Sequence, residues 1–529
     1  MNLQDISILL SGEAGTGIMV LGQMLARTAA SCGLHVFGYP EYPSRIRGGE
    51  NTFLIRIAKK EIYSQKREID CLLALKKEYV SRHATKLSPD GIIIDKFSQN
   101  TMALGALCKW LELPFEVLEK TIFTQFNNKG ETVVEENIRQ ARKGHEAFCH
   151  AEPLVPDPIR DLDSASDSYK QIPAQGRDDK LVKASSGEIL RVISGNEAIG
   201  EGAIEAGLSF SAIYPMTPVN GLLSFLANEA EKHSFIFRQP EDEIAGINMA
   251  IGASYAGAKS LVATSGGGFS LMTEGFGLAA MTETPIVIVF GSRPGPSTGV
   301  ATQTEQGDLQ FALHAGQGDF PRIILAPGDI EECYFLTKEA FRIAEEYKTP
   351  VILLVDKYLC ESIKTINYPP MSDKSTIKLR PLPETTVNSY EHDEKGVTSE
   401  DSANKMAMAK KRMAKLQEIK AIIPAAKLYG SQRAPTTFVG WGSVKGPILE
   451  AMEERNNNGI TANFVHFNFI NPLPKNTEEI LKSCERLILV ENNIIGQFGQ
   501  WLRAQTGINI EEKILKFNGE PLYPEEITI

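Results

Sequence analysis

The sequence predicts an α/β protein made of three α/β domains, and three observations carry that reading. Short runs of aliphatic and β-branched residues recur between helical segments. Many of the 44 glycines fall just after those runs, where strand-to-helix turns are expected. At 529 residues the chain exceeds one ordinary core, since domains run to roughly 100–200 residues. With 42% hydrophobic and 23% charged residues, the composition is that of a globular protein and not of a disordered one.

The elements follow in order. From Met1 to about His150, "ISILLSG" reads as a strand, "GIMVLGQMLARTAASCG" as a helix, "LHVFGYP" as a second strand and "GIIIDK" as a later one. Residues 151–188 are polar, proline-bearing and aperiodic, as a surface connection is, so the first domain with its linker is placed at 1–188. The second domain, 189–365, gives helix "GNEAIGEGAIEAGL", strand "SAIYPM", helix "GLLSFLANEAEKH", helix "EDEIAGINMAIGASYAG", and strands "SLVATSGG", "TPIVIVFG" and "TPVILLVD". Strands separated by helices at this rhythm favour a parallel, doubly wound sheet. Residues 366–433 turn polar, and "SEDSANKMAMAKKRMAKLQEIKAI" reads as an exposed amphipathic arm with a Ser or Asp cap. The third domain, 434–529, holds "TTFVGWGSVKGPILEAM", "NFVHFNFINPLPKN" and "RLILVENN", another small α/β unit.

A net charge of −11 disfavours nucleic acid or an anionic membrane as partner. No apolar run approaches the roughly 20 residues of a spanning helix, and "MNLQDISILLSGEAGTG" enters directly into a strand, so a cytoplasmic protein is expected. The seven cysteines are scattered with no C-x-x-C pair, which argues against a zinc or iron–sulfur site built by this chain alone.

Four stretches carry candidate chemistry. "GEAGTG", Gly12 to Gly17, approaches G-x-G-x-x-G with Ala14 in the second glycine position. Three uses stay open: a structural turn, a nicotinamide or flavin grip, or an anion- or CoA-facing loop in which Gly12, Gly15 and Gly17 let backbone N–H groups meet an anion. "SAIYPMTPVNG" breaks a strand at Pro215 and Pro218, with Thr217 pinned against the second. Glu243 opens a helix of Ala, Gly, Ile and Met; it is either a first-turn charge complementing the helix dipole or an inward, desolvated acid suited to proton traffic. "GSRPGPSTGVATQTEQGDL" leaves a strand and packs Arg293, Thr302 and further hydroxyls into a stiffened loop, and an Arg fork among hydroxyls matches a carboxylate. His466, at strand alternation, reads as structural, and "YEHDEKG", 390–396, as a solvated acidic loop. Ser–His–Asp spacing, H-E-x-x-H and the P-loop pattern are absent.

Taken together, "YPMTP", "EDEIAGINMAIGASYAGAKSLVATSGGGFSLM", "RPGPSTGVATQTEQGDL" and "VGWGS…NFINPLPKN…LVENN" resemble the α subunit of 2-oxoacid:ferredoxin oxidoreductases. The leading "GEAGTG…YPSRIRGGENTFLIRI" resembles that family's γ domain, fused ahead of α as in the 2-oxoglutarate synthase type. The resemblance implies a γ domain, a thiamine-diphosphate pyrimidine-binding domain and a transketolase C-terminal-like domain. It places Glu243 on the cofactor's aminopyrimidine, where the contact promotes loss of the cofactor's C2 proton. Tyr214, Pro215 and Pro218 fall in the turn beside the cofactor. Thr217 falls where it orients the substrate or CoA, and Arg293 and Thr302 fall on the 2-oxoacid, with Arg293 facing a substrate carboxylate. Met216 replaces a frequent isoleucine, a conservative apolar change that leaves the role of the turn intact, whereas R-P-G-P and V-A-T in place of the common R-G-G-P and L-P-T leave the particular oxoacid open.

No diphosphate and Mg²⁺ grip of the Gly-Asp-Gly…Asn-Asn kind appears. The resemblance therefore implies a separate β subunit carrying Mg²⁺ and a [4Fe–4S] cluster, with CoA as co-substrate and ferredoxin as electron acceptor. This chain alone is expected to be inactive. Rival readings are a subunit acting on pyruvate, branched-chain oxoacids or indolepyruvate, a non-catalytic module that binds CoA or a partner, and a nicotinamide-dependent dehydrogenase using Gly12 to Gly17.

Overall fold

The computed structural model describes residues 5–43, 48–148, 190–371, 378–382, 388–457, 459 and 461–528. The connection at 151–188 and Cys149 fall outside them. Two compact units form: Met1–Gly38 with Arg47–Ile62 and Arg67–Val192, and Tyr39–Ile46 with Tyr63–Lys66 and Ile193–Ile529. The middle and last α/β regions of the sequence thus share the second unit.

The first unit runs β1 (Asp5–Glu13), α1 (Ile18–Ser31), β2 (His35–Glu41), β3 (Glu50–Ala58), β4 (Ile69–Ala74), α2 (Lys77–His83), β5 (Leu87–Ile94), α3 (Asn100–Trp110), α4 (Phe115–Phe126) and α5 (Glu131–Ala147). Its strands lie in the order β5-β4-β1-β3-β2. β1 pairs with β4 in parallel but with β3 antiparallel, from Asp5 opposite Ala58 to Glu13 opposite Glu50. Side-chain alternation is the same in either direction, so the pattern of the sequence leaves that return invisible.

Helices α3 and α5 cross through two glycines. A Cβ at Gly105 would stand 1.9 Å from the Ala141 carbonyl oxygen, and one at Gly144 1.8 Å from that of Met102. Glycine normally costs a helix about 1 kcal/mol relative to alanine; here the two backbones meet only because both side chains are missing. Gly105→Ala is expected to destabilise the chain by about 1–3 kcal/mol, read as a lowered thermal midpoint, where propensity alone predicts a gain.

The second unit continues β6 (Arg191–Ser194), α6 (Gly195–Glu205), β7 (Phe210–Ile213), α7 (Asn220–Glu229), β8 (Ile236–Arg238), α8 (Glu243–Tyr255), β9 (Ser260–Ser265), α9 (Gly266–Met281), β10 (Ile286–Ser292), α10 (Leu309–His314), β11 (Ile323–Leu325), α11 (Ile330–Tyr347), β12 (Val351–Asp356), α12 (Lys357–Glu361) and β13 (Ile363–Ile366). After α13 (Ser402–Ile422) come β14 (Lys427–Gly430), β15 (Thr436–Trp441), α14 (Lys445–Asn457), β16 (Ala462–Phe467), β17 (Phe469–Asn471), α15 (Thr477–Lys482), β18 (Leu487–Glu491), α16 (Gln497–Thr506) and β19 (Glu512–Leu515).

The expected doubly wound sheet has the order β17-β11-β12-β10-β9-β7-β8. It is parallel except where β17 joins β11 antiparallel. Its strands are buried on both faces: Leu261, Val287 and Leu353 point into a core with α6 and α11, while Val262, Ile288 and Ile352 point into one with α8 and α9. That second core also takes in Val439, Val465, Leu489 and Phe498, from the sheet β14-β16-β15-β18-β19. Central strands covered on both faces read as continuous apolar runs, which is why this sheet was the most legible part of the chain.

Three expectations change. The strand written "SAIYPM" stops at Ile213. The triple glycine is not a turn but the first turn of α9. The acidic stretch 390–396 is anchored, because Glu391 accepts from Arg412 Nη1 and Nη2 at 2.9 and 2.6 Å and from Lys405 Nζ at 3.0 Å. Those donors, Arg412 first, hold the Glu391 carboxyl down at about 2. The arm helix α13 is capped by Asp401 and buries Met408, Arg412, Lys415 and Ile419, a single stripe at helical spacing that packs on the main core through Ile419. No helix among the described residues is long and apolar enough to cross a membrane.

Candidate active site

The C-terminal ends of β7, β9, β10 and β12 carry the candidate residues, as open α/β sheets place their ligand sites. After β7 the chain turns through Tyr214 to Pro218. Tyr214, Met216 and Thr217 are half-buried, Pro215 is exposed and Pro218 is buried. The Thr217–Pro218 peptide is cis. The Pro218 carbonyl accepts from buried Asn196 Nδ2 at 3.0 Å, and a Cβ on Gly291 would lie 2.8 Å from the Pro218 ring. The turn is therefore seated against β10, whose glycine makes room for it.

Arg293 follows β10 directly. Its Nη1 donates to the Thr217 carbonyl at 3.0 Å, which ties the two predicted substrate loops together. Asp308 stands beside it, accepting from Ser292 Oγ at 2.8 Å. Burial lifts the Asp308 carboxyl above its ordinary value, opposed by Ser292 and by Arg293. Burial also draws the Arg293 guanidinium down, with Asp308 opposing.

Glu243 opens α8, but it does not cap it. The cap is Asp242, whose Oδ1 accepts from the Ala245 amide at 2.8 Å. Freed from that duty, Glu243 turns inward: it is 3% exposed and its Oε1 has no hydrogen-bond partner among the described residues. The hydroxyls of Thr264 and Ser265, at the end of β9, are buried and lack partners in the same way. A Cβ on Gly268 would fall 1.9 Å from Thr264 Oγ1 and 2.5 Å from Glu243 Oε1, so the absent side chain keeps both oxygens in place. Gly266 rests against the Asp308 carboxylate, which places Asp308 between the Arg293 loop and the start of α9.

Thr302 lies half-buried in the turn that follows Gly299. None of the hydrogen bonds that join Arg293, Thr217 and Asp308 involves it. Gly12, Gly15 and Gly17 belong to the first unit. Gly15 and Gly17 have φ of 93° and 82°, a backbone that side chains disfavour, and a Cβ on Gly12 would press on Ile18 and Thr16 at 2.8 Å.

Sequence reasoning missed a group of buried residues next to these loops. Lys357, fully buried after β12, reaches Glu361 Oε2 at 3.0 Å and Tyr39 Oη at 3.0 Å. Tyr42 donates its hydroxyl to Glu361 Oε1 at 2.7 Å, and burial followed by Glu361 raises the phenol above its usual range. The only signal was a Lys and a Glu four apart straight after an apolar strand. His466 is wholly buried in β16, and burial, then Lys445, hold its imidazole well below the ordinary value.

Asp356, at the tip of β12, accepts from the Leu359 amide at 2.9 Å and from the Ser443 hydroxyl. Burial nevertheless pushes its carboxyl up to about 6. The folded chain therefore holds this proton more tightly than the unfolded chain, whose carboxyl titrates near about 3.9. Its contribution to stability is full below about pH 4 and is lost as the pH rises through about 6. Asp356→Asn is expected to gain about 1–3 °C in thermal midpoint over the parent at pH 8 relative to pH 5; an equal difference at both pH values would reject the assignment.

Comparisons with known proteins agree along the whole chain. Residues 201–426 match the family described as pyruvate flavodoxin/ferredoxin oxidoreductase, thiamine diphosphate-binding, and residues 7–98 match pyruvate ferredoxin/flavodoxin oxidoreductase. Subunit alpha of 2-oxoacid:ferredoxin oxidoreductase 2 from Aeropyrum pernix is 30% identical over 99% of this chain and 96% of its own. The corresponding subunit from Saccharolobus solfataricus is 31% identical with the same coverage. Among solved structures, 2-oxoglutarate:ferredoxin oxidoreductase from Magnetococcus marinus, with 2-oxoglutarate, coenzyme A and succinyl-CoA bound, superposes with a TM-score of 0.86 at 28% identity, over 99% of this chain and 98% of that one. The chain belongs to the 2-oxoacid:ferredoxin oxidoreductase family, as an α subunit with a thiamine diphosphate-binding domain.

Proposed function

We propose that this chain, with a β subunit, oxidatively decarboxylates 2-oxoglutarate in the presence of CoA, giving succinyl-CoA, CO₂ and two electrons that pass singly to ferredoxin. One observation carries the reading of the site: a buried glutamate whose Oε1 has no hydrogen-bond partner among the described residues, with the equally unpartnered hydroxyl of Thr264 held next to it across Gly268. Folded chains rarely leave such oxygens unsatisfied. An aminopyrimidine, with an amine donor and ring-nitrogen acceptors, matches that set, so these residues fit thiamine diphosphate. When bound, that cofactor supplies the carbon nucleophile and electron sink for decarboxylation.

The residues of this chain then have distinct tasks. Glu243 holds a proton at Oε1 opposite the pyrimidine and returns it. The turn Tyr214–Pro218 lines the cofactor, and its two prolines keep Thr217 in a fixed orientation. Arg293 spends one N–H on the Thr217 carbonyl and has the rest of its five donors available to a carboxylate. Thr302 contacts the oxoacid from the same loop. The β subunit is proposed to bring Mg²⁺ and the [4Fe–4S] cluster.

The choice of 2-oxoglutarate rests on the fit to the Magnetococcus enzyme over nearly the full chain. The Aeropyrum and Saccharolobus relatives carry the broader name 2-oxoacid, so the assay must compare substrates. CoA-dependent reduction of a low-potential dye is measured for this chain alone and co-expressed with its β partner, on 2-oxoglutarate and on pyruvate. Activity in the pair only, highest with 2-oxoglutarate, is expected. Equal or greater turnover of pyruvate would overturn the substrate, and a cofactor-loaded complex inert on every oxoacid would overturn the function.

A further inference from the structure

Arg293 stands at the head of a long loop, and the far end of that loop is gripped by the C-terminal sheet through buried hydrogen bonds that the chemistry described so far leaves unused. The grip is centred on the segment Glu491–Gln497, which runs from the end of β18 into α16.

Glu491 anchors it. Its fully buried carboxylate accepts from the Phe498 and Gly499 amides at 3.0 and 3.1 Å, from Asn493 Nδ2 at 2.7 Å and from Trp441 Nε1 at 3.3 Å. Four donors converge on an acceptor-only group at a helix N-terminus, an arrangement that an amide could not satisfy. Asn493, so oriented, extends Nδ2 to the Gln306 carbonyl at 3.2 Å.

Gln306 completes the grip from the loop side. It is 1% exposed; its amide donates to the Asn492 carbonyl at 2.7 Å, its Oε1 accepts from the Asn492 amide at 2.9 Å, and its Nε2 donates to the Trp441 carbonyl at 2.8 Å. Gln497 reads the next residues, donating to the Gly307 carbonyl at 2.6 Å and accepting from the Gln310 amide at 2.8 Å. Asp308 sits between those two contacts, and its Oδ2 accepts at 2.8 Å from the hydroxyl of Ser292, the residue directly before Arg293.

We propose that Gln306, Asn493 and Gln497 are positioning residues for substrate recognition: they fix the backbone on both sides of Asp308, and Asp308, through its hold on Ser292, in turn fixes the strand end from which Arg293 reaches the 2-oxoacid carboxylate. Polar contacts with the substrate touch none of the three. This rests on the reading that Arg293 binds that carboxylate, and it adds that the C-terminal sheet sets how tightly the oxoacid is held. A displacement of about 1 Å in an orienting group is enough to cost up to about 10²-fold.

The test uses the assembled α–β enzyme and compares Gln306→Ala, Asn493→Ala and Arg293→Lys, and each of the first two combined with Arg293→Lys. Gln306→Ala and Asn493→Ala are expected to raise KM for 2-oxoglutarate about 10-fold while KM for CoA stays within about 2-fold. Each double variant is expected to be no worse than Arg293→Lys alone, because both changes disable one device. A loss confined to general stability would instead lower kcat for every substrate and multiply with Arg293→Lys, and that outcome would overturn the proposal. So would an unchanged KM for the oxoacid. If Arg293→Lys itself leaves that KM unchanged, the reading of Arg293 fails first and takes the proposal with it; if Arg293→Lys raises it and the clamp variants do not, the proposal alone fails. Gln497→Ala, which removes one side chain at the rim of the network, gives the same comparison should the two central variants not assemble.

Discussion

Glu243→Gln is expected to lower kcat of the assembled enzyme by about 10²–10⁴-fold and to move the thermal midpoint by no more than about 2 °C. The asymmetry follows from the division of labour at the start of α8. Asp242 already satisfies the Ala245 amide, and Glu243 Oε1 makes no hydrogen bond among the described residues, so an isosteric amide breaks no bond seen there. What it removes is a carboxyl oxygen able to take up and return a proton. Gly268→Ala reaches the same carboxyl by steric means. Alanine normally favours a helix by about 1 kcal/mol, yet here its methyl would sit 2.5 Å from Glu243 Oε1 and 1.9 Å from Thr264 Oγ1, and activity is expected to fall. Undiminished turnover in Glu243→Gln, measured with cofactor-saturated complex, would remove Glu243 from the chemistry.

How much of this was legible in the sequence depended on which kind of contact made it. The central sheet could be read because its strands are buried on both faces and so appear as unbroken apolar runs; Ile286–Ser292 and Val351–Asp356 are examples. Glu243 could be read because an acid heads an otherwise small and apolar helix. Asp308 could not, since its importance lies in holding Ser292, the residue before Arg293, and in standing against Gly266 across a loop, and no local pattern marks it. The same holds for Tyr42 and Glu361, separated by 319 residues and joined by one hydrogen bond. Gly268 looked like a turn residue because three glycines in succession usually are; tertiary packing around Glu243 and Thr264 holds them helical against their intrinsic preference. The acidic run around Glu391 looked solvated for the opposite reason, because its partners Lys405 and Arg412 lie on a helix one loop further on.

Arg293→Lys separates charge from geometry at the proposed carboxylate site. Lysine keeps the positive charge but offers a compact ammonium in place of a planar fork, and it cannot hold the Thr217 carbonyl and a two-oxygen ligand in the same plane. If recognition is bidentate, the loss is that of one charge-assisted hydrogen bond, about 1.5–3 kcal/mol, or roughly 10–150-fold in kcat/KM for 2-oxoglutarate. The Thr217 turn should suffer too, because the Arg293 Nη1 bond at 3.0 Å ties it to the loop that follows β10; KM for CoA, which has no stake in that carboxylate, should not move. Retention of full kcat/KM in Arg293→Lys would show that a point charge is sufficient. The oxoacid would then have to be oriented from elsewhere, with Thr217 and Thr302 the next residues to replace.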